Sequence, residues 1–302
     1  MRFPNLKHLH YLVVLYEEQH FHKAAARCFI GQSTLSSAIQ NLEEQCAQQI
    51  LERDNKQFVF TAFGVALVTQ ARQLLEHADD VSNFANTGGE WQKSTVLLGT
   101  IPTIAPFIFS DLLTSVQAQY PNLQIKLTED TSENLVRKLQ DGLLDCIILA
   151  LPFPTPGCTQ RILGNDPFYL VGTQANISLL PEPFAYSHLP HNSVYLLHAE
   201  HCMTEHAVSA CQLAFQEQVN SLAASSIFTL VQMAQNQGGF TFVPELAKRN
   251  GILANTSLVV KQGAPDAYRE IALVWRKTSR RLPLYNGLAN LLQGLMPEPF
   301  SE

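Results

Sequence analysis

Apolar residues near the start of the chain recur at helical spacing. Leu9, Leu12, Val13 and Tyr16 predict a first helix over Leu6 to Glu18. A short second helix follows from Phe21 to Cys28, where Ala24, Ala25 and Ala26 permit close packing, and Phe29-Ile30-Gly31 makes a turn. A third helix runs from Gln32 to about Cys46, with Leu35, Ile39 and Leu42 on one face. Two short helices joined by a tight turn containing Gly describe a helix-turn-helix. Ile50-Leu51-Glu52 and Phe58-Val59-Phe60, on either side of Asp54-Asn55-Lys56, read as a hairpin wing. Thr61 is a natural N-cap for a long helix reaching about Asn86. Along it Leu67, Ala71, Leu74, Ala78, Val81 and Ala85 alternate steps of four and three, the heptad seam of a helix that pairs with its copy. An intramolecular helix covering a core is the plainer alternative. Gly88-Gly89 ends the helix at a point suited to a hinge.

Beyond this point the periodicity changes. Val96 to Gly99 reads as a strand, Pro106 to Gln119 as a helix, Leu123 to Leu127 as a strand, Asn134 to Leu139 as a helix and Leu143 to Leu151 as a buried strand. This β-α-β-α-β alternation predicts a parallel sheet with crossover helices. A second unit begins near Pro167, and the strand Ile271 to Trp275 with the helix Pro283 to Leu295 returns to the first. The expected class is α/β with a mostly α winged helix-turn-helix in front. The expected divisions are residues 1–62 for the winged part, 63–92 for the linker helix and 93–302 for an effector part. That part divides into lobe I (93–166 and 269–302) and lobe II (167–268).

Composition adds limits. With 302 residues, 46% of them hydrophobic, the chain can bury large cores. No apolar run approaches the ~18 residues of a membrane helix, and the start carries no apolar signal core. Six cysteines in such a chain are expected as free thiols in a reducing cytoplasm, with no cofactor and no membrane partner. The net charge of -6 neither favours nor excludes nucleic acid.

Two cysteines stand out. Cys202 and Cys211 lie nine positions apart, and the run from Met203 to Gln218 holds no Gly or Pro. A thiol at a helix N-terminus beside His201 is expected to have a lowered pKa. Nine helical residues cover about 13–14 Å at ~1.5 Å each. A disulfide needs Cα atoms within ~7 Å. Bonding this pair would therefore force the segment to refold, the logic of a redox switch. Two bland readings stay open: the thiols as small buried hydrophobes, or a metal cluster with His198, His201 and His206, whose spacing fits no common zinc pattern. Cys28, Cys46 and Cys146 have core-like neighbours, and Cys158, after the Pro-rich loop, is expected to be exposed.

In the third helix Gln32, Ser33, Thr34, Ser36 and Gln40 suit base edges and phosphates, and Arg53 and Lys56 lie at the hairpin tip, where a phosphate would be. A small helical bundle with a polar surface is the alternative. The motif Ala24-Ala25, Gln32, Leu35-Ser36, Ile39, Leu42-Glu43, Leu51-Glu52-Arg53, Thr61 and Gly64 resembles the winged helix-turn-helix of the LysR-type transcriptional regulators. The resemblance implies a double-stranded DNA operator and a homodimer or homotetramer. It also implies an effector part of two periplasmic-binding-protein-like lobes, with a small metabolite between them as one form of control. Departures exist: Gly31 stands where the family usually has Ser, Ser33 where it has Pro, and Ser37 and Gln40 replace commonly basic positions. In residues 1–62 six basic residues meet six acidic ones, so binding weaker or less salt-sensitive than usual is expected; His8, His10, His20 and His22 offset this at lower pH.

Thr100-Ile101-Pro102-Thr103, the strand Leu144 to Leu151, His201-Cys202 with Cys211, and Arg269 to Arg276 are similar to the OxyR branch of that family, its peroxide sensors. The likeness implies hydrogen peroxide as effector, Cys202 as the reacting thiol and Cys211 as the resolving thiol. It assigns polar donors to Thr103, His201 and Arg269, and a Ser to position 132 where a second Thr is usual. Glu200 takes the place of a usual Gly and would oppose thiolate formation unless it faces solvent. Recruitment of RNA polymerase on oxidation is implied in the same way. A thiol peroxidase and a secreted solute-binding protein are the rivals from other classes. The winged segment argues against the first and the absent signal segment against the second.

Overall fold

The computed structural model describes residues 4–53, 57–87, 90–211, 213, 215–262 and 267–297. The chain divides into two compact units, residues 1–90 and 91–302.

The first unit is α1 (Leu6–Glu18), α2 (Phe21–Arg27), α3 (Gln32–Cys46), the strands β1 (Leu51–Arg53) and β2 (Phe58–Phe60), and the long α4 (Ala62–Thr87). Leu12, Leu15, Leu35, Ile39 and Leu42 are fully buried, which is the packing their helical spacing requires. The antiparallel wing pairs Leu51 with Phe60 and Arg53 with Phe58. It is tied to α3 because one Glu43 carboxylate oxygen accepts the N–H groups of Ile50 and Leu51 at 2.9 and 3.0 Å. The Thr61 hydroxyl accepts the Gly64 N–H at 2.9 Å, as an N-cap should. Gly64 is required for steric reasons: a Cβ there would lie 2.3 Å from the Ile50 carbonyl oxygen. The proposed hinge Gly88-Gly89 and the wing tip at Asp54-Asn55-Lys56 lie outside the described residues. On α4, Leu67 and Ala71 pack against this unit's own core, while Leu74 and Val81 are exposed. The seam is therefore split, and its early turns serve the chain itself.

The second unit opens with β3 (Thr95–Thr100), α5 (Ala105–Gln119), β4 (Gln124–Glu129), α6 (Ser132–Gln140) and β5 (Cys146–Leu151). β3 is parallel to both β4 and β5. Every residue of β5 is buried, the mark of a strand covered on both faces. Next come β6 (Cys158–Thr173), α7 (Gln174–Ser178), β7 (Val194–Leu197), α8 (Cys202–Ala210), α9 (Phe215–Gln218) and β8 (Val219–Ala224). The chain continues through α10 (Ile227–Gln237), β9 (Phe240–Pro244), α11 (Glu245–Arg249), β10 (Leu258–Gln262), β11 (Tyr268–Arg276) and α12 (Leu282–Gln293). The strand order is β4-β3-β5-β11-β6-β9-β7-β8, with β10 also on β6. β6 joins the two halves without interruption. Its residues up to Pro167 pair with β11, and from Phe168 onward they pair with β9. Pro167, which has no N–H to give to a ladder, stands at this change of partner.

Two expectations need correction. The run from Met203 to Gln218, free of Gly and Pro, is not helical throughout: α8 stops at Ala210, with Cys211 as its C-cap. No Gly or Pro marks the break. The Leu213 N–H bonds back to the Val208 carbonyl at 3.0 Å, and this closure buries Leu213. Cys158, expected at the surface, is 8% exposed, because it is the first residue of a strand interior to the sheet.

Candidate functional site

Three elements bring their ends to one crevice. It is lined by Ile101, Pro102 and Thr103 after β3, Thr131 and Ser132 at the start of α6, and Glu200 through Met203 at the start of α8. Its position beyond the carboxyl end of a parallel strand is the usual place for a site in an open α/β sheet. Arg269, near the start of β11, reaches it through Thr103. The crevice leaves no room for a water-sized sphere.

Cys202 is the first residue of α8 and is buried, 7% exposed. The Ser132 hydroxyl donates to its sulfur at 3.2 Å. The expected fall in its pKa does not occur: burial, the strongest influence, pushes the Cys202 thiol up. The Ser132 hydrogen bond and the charge of Arg269 pull it back, and Glu205 pushes it further up. Local helix position was therefore outweighed by desolvation. Glu200 is not the opposing carboxylate. Its side chain is 64% exposed, and its Oε1 lies 3.9 Å from His201 Nε2.

Thr103, Ser132, His201 and Arg269 are all buried; the first three line the crevice with Cys202, and Arg269 is held behind Thr103. Arg269 is not a free donor, however. Its Nη1 donates to Thr103 Oγ1 at 2.8 Å and its Nη2 to the Thr103 carbonyl at 3.1 Å. Its Nε and Nη2 donate to Asp166 Oδ2 at 3.1 and 2.9 Å. Asp166 Oδ1 accepts the Leu246 N–H at 2.9 Å, and the carboxylate and the guanidinium are both fully buried. Asp166 was missed by the sequence reading. In Asn165-Asp166-Pro167 it resembles a turn residue, and its partner is 103 positions away. Cys211 is buried at the far end of α8 from Cys202, and none of the six cysteines is in a disulfide. Two side chains of α8 tie the helix to its surroundings. The Thr204 hydroxyl donates to the Leu197 carbonyl at 2.7 Å, and His206 Nε2 lies 3.1 Å from the Pro152 carbonyl. Among the described residues no group of three His, Cys, Asp or Glu side chains is placed to hold a metal ion.

On the first unit, Gln32, Ser33, Thr34 and Gln40 are exposed along α3, and Ser36 is half-buried. Arg53 donates to Ser36 Oγ at 3.2 Å and covers the Phe21 ring at 5.4 Å, so the wing arginine is drawn towards α3. Arg27 pairs with Glu17 and Glu18 at 2.8 and 3.0 Å. Lys56 lies outside the described residues.

One unit is a winged helix-turn-helix with a long helix, and the other is a two-part mixed sheet with a recessed polar crevice. The family model for the LysR substrate binding domain matches residues 91–297, and that for the bacterial regulatory helix-turn-helix protein of the lysR family matches residues 6–65. The chain belongs to the LysR-type transcriptional regulators, which bind DNA, are oligomeric and are not enzymes. It is 38% identical over 277 residues to the HTH-type transcriptional regulator EstR of Acinetobacter baylyi, covering 91% of this chain and 92% of that one. It is 30% identical to a hydrogen peroxide-inducible genes activator of Dickeya chrysanthemi, covering 95% of this chain and 94% of that one. Among solved structures, the reduced regulatory domain of OxyR2 from Vibrio vulnificus is 44% identical, with a TM-score of 0.66, covering 68% of this chain and 98% of that one. Among the described residues no helix is long and apolar enough to cross a membrane.

Proposed function

We propose that this regulator senses hydrogen peroxide in the cytoplasm through a reversible Cys202–Cys211 disulfide. The observation that carries the reading is the Ser132 hydroxyl on the Cys202 sulfur in a crevice shared with Thr103 and His201. Relatives named for peroxide induction, and the OxyR2 domain at 44% identity, support it.

In the reaction, Cys202 loses its proton and its sulfur attacks one peroxide oxygen. The O–O bond breaks, the sulfenic acid forms and hydroxide departs, to be neutralised by the released proton. Donors around the departing oxygen stabilise its charge. Thr103 suits this role, because its oxygen already accepts from Arg269 and its own proton is free to point elsewhere. His201 and Ser132 add polar groups. Cys211 then attacks the sulfenic sulfur, forming the disulfide and releasing water. Two thiols and one peroxide give one disulfide and two waters.

The two sulfurs begin at opposite ends of α8, so the second step requires that helix to unwind. Repacking of residues 167–268 against 93–166 and 269–302 would alter how effector parts pair. Through the helix at 63–92, it would change the spacing of the reading heads at 1–62 on DNA and the contact with RNA polymerase. On the reading head, Gln32, Ser33, Thr34, Ser36 and Gln40 face bases and phosphates, with Arg53 and Lys56 on the flanking backbone.

Equimolar peroxide should remove two free thiols per chain, and Cys202→Ser should abolish the loss while leaving operator binding intact. A Cys202→Ser protein that still switches with peroxide would refute the reading. The second reading is a regulator controlled by a metabolite between the lobes; EstR, at 38% identity, is not named for peroxide. Under that reading peroxide leaves all six thiols unchanged.

A further inference from the structure

Arg269 and Asp166 are buried completely, yet neither lines the crevice. Their bonding has a direction. Asp166 takes the Nε and Nη2 side of the guanidinium, Leu246 N–H fixes the other carboxylate oxygen, and the Nη1 side is left to the Thr103 hydroxyl. The hydroxyl oxygen thus accepts an N–H, which sends the Thr103 proton in another direction, and Thr103 lines the same crevice as Cys202. The same carboxylate offsets a positive charge that would otherwise act more strongly on the sulfur, against Glu205 alone.

We propose that Asp166 is a positioning and specificity residue: by clamping Arg269 it aims the Thr103 O–H into the crevice and holds back the guanidinium charge, so that Cys202 discriminates in favour of peroxide over other electrophiles. A thiol with an unopposed cation beside it reacts faster with any electrophile. A thiol whose neighbours are aimed reacts faster with the one whose leaving oxygen they meet. The inference rests on the peroxide reading of this site.

The test compares two reactions of the full-length reduced protein at pH 7, peroxide oxidation and iodoacetamide alkylation, each followed at the Cys202 peptide by mass spectrometry. Asp166→Asn keeps the shape and removes the charge. Alkylation should quicken about threefold or more as the thiolate becomes easier to form, while peroxide oxidation slows about threefold or more. The ratio of the two rates should therefore fall about tenfold. Both rates moving together, with the ratio unchanged, would overturn the proposal. Cys146, fully buried, reports folding, since it stays unmodified in an intact sheet. If it is modified in the Asn variant, Asp166→Glu decides. That variant keeps the charge but displaces the clamp, so peroxide oxidation should slow with alkylation unchanged; an unaltered ratio overturns the proposal. A wild-type protein whose thiols ignore peroxide sinks the sensing reading itself, whereas a reactive wild type with an unchanged variant ratio sinks only the role of Asp166.

Discussion

His206 stands one turn beyond Cys202. Its Nε2 faces the Pro152 carbonyl, while its Nδ1 is buried with no hydrogen-bond partner among the described residues. That pattern assigns the proton to Nε2. A second proton would leave a buried N–H without an acceptor and add a cation near Arg269. Burial pushes its pKa below the ordinary 6.5 and Arg269 acts in the same direction, opposed by the Pro152 bond and Glu205. The unfolded chain therefore takes up this proton at higher pH than the folded one. The contribution of His206 to stability is complete above about pH 6.5 and is lost as pH falls through the folded value. Denaturant midpoints of the reduced protein between pH 7.5 and 5 should drop less in His206→Gln, which keeps a donor for Pro152 and cannot titrate. Equal slopes would count against the assignment.

At the scale of elements, the approach of α4 to the chain before β1 depends on one missing methyl. Replacing Gly by Ala usually favours a helix. Here the Cβ would press on the Ile50 carbonyl, a backbone atom that cannot rotate away. Gly64→Ala should therefore destabilise the winged unit by ~1–3 kcal/mol and weaken operator binding, read from urea unfolding and a DNA titration of the full chain. The helices of this unit were legible because burial of Leu12, Leu35 and Ile39 follows their spacing. The end of α8 was not. Its closure depends on where Leu213 can be buried, which no local residue type announces. The Cys202–Cys211 spacing drew attention to α8, while Thr103, Ser132 and Arg269 came only through resemblance. Asp166 escaped both, because an ion pair between β6 and β11 exists only after the sheet has formed. The elevated thiol pKa escaped for a similar reason: helix position can be read locally and burial cannot.

For the whole molecule, the α4 seam divides its work. Leu67 and Ala71 bind their own unit, and Leu74 and Val81 are left 42% and 70% exposed. Regulators of this family are oligomeric, and these later turns are the apolar part of the helix available to a second copy. A charge placed there should act on assembly without disturbing the fold. Val81→Asp should raise the dimer dissociation constant about tenfold or more in sedimentation, with an unchanged unfolding midpoint of the isolated chains at low concentration. Dimer affinity equal to that of the wild type would move the interface elsewhere.

The tightness of the crevice has a kinetic corollary under the sensing reading. An oxidant larger than water must wait for the walls to breathe before it touches sulfur. Abundant peroxide would then stop accelerating the response, and the alarm would have a speed limit written into its packing.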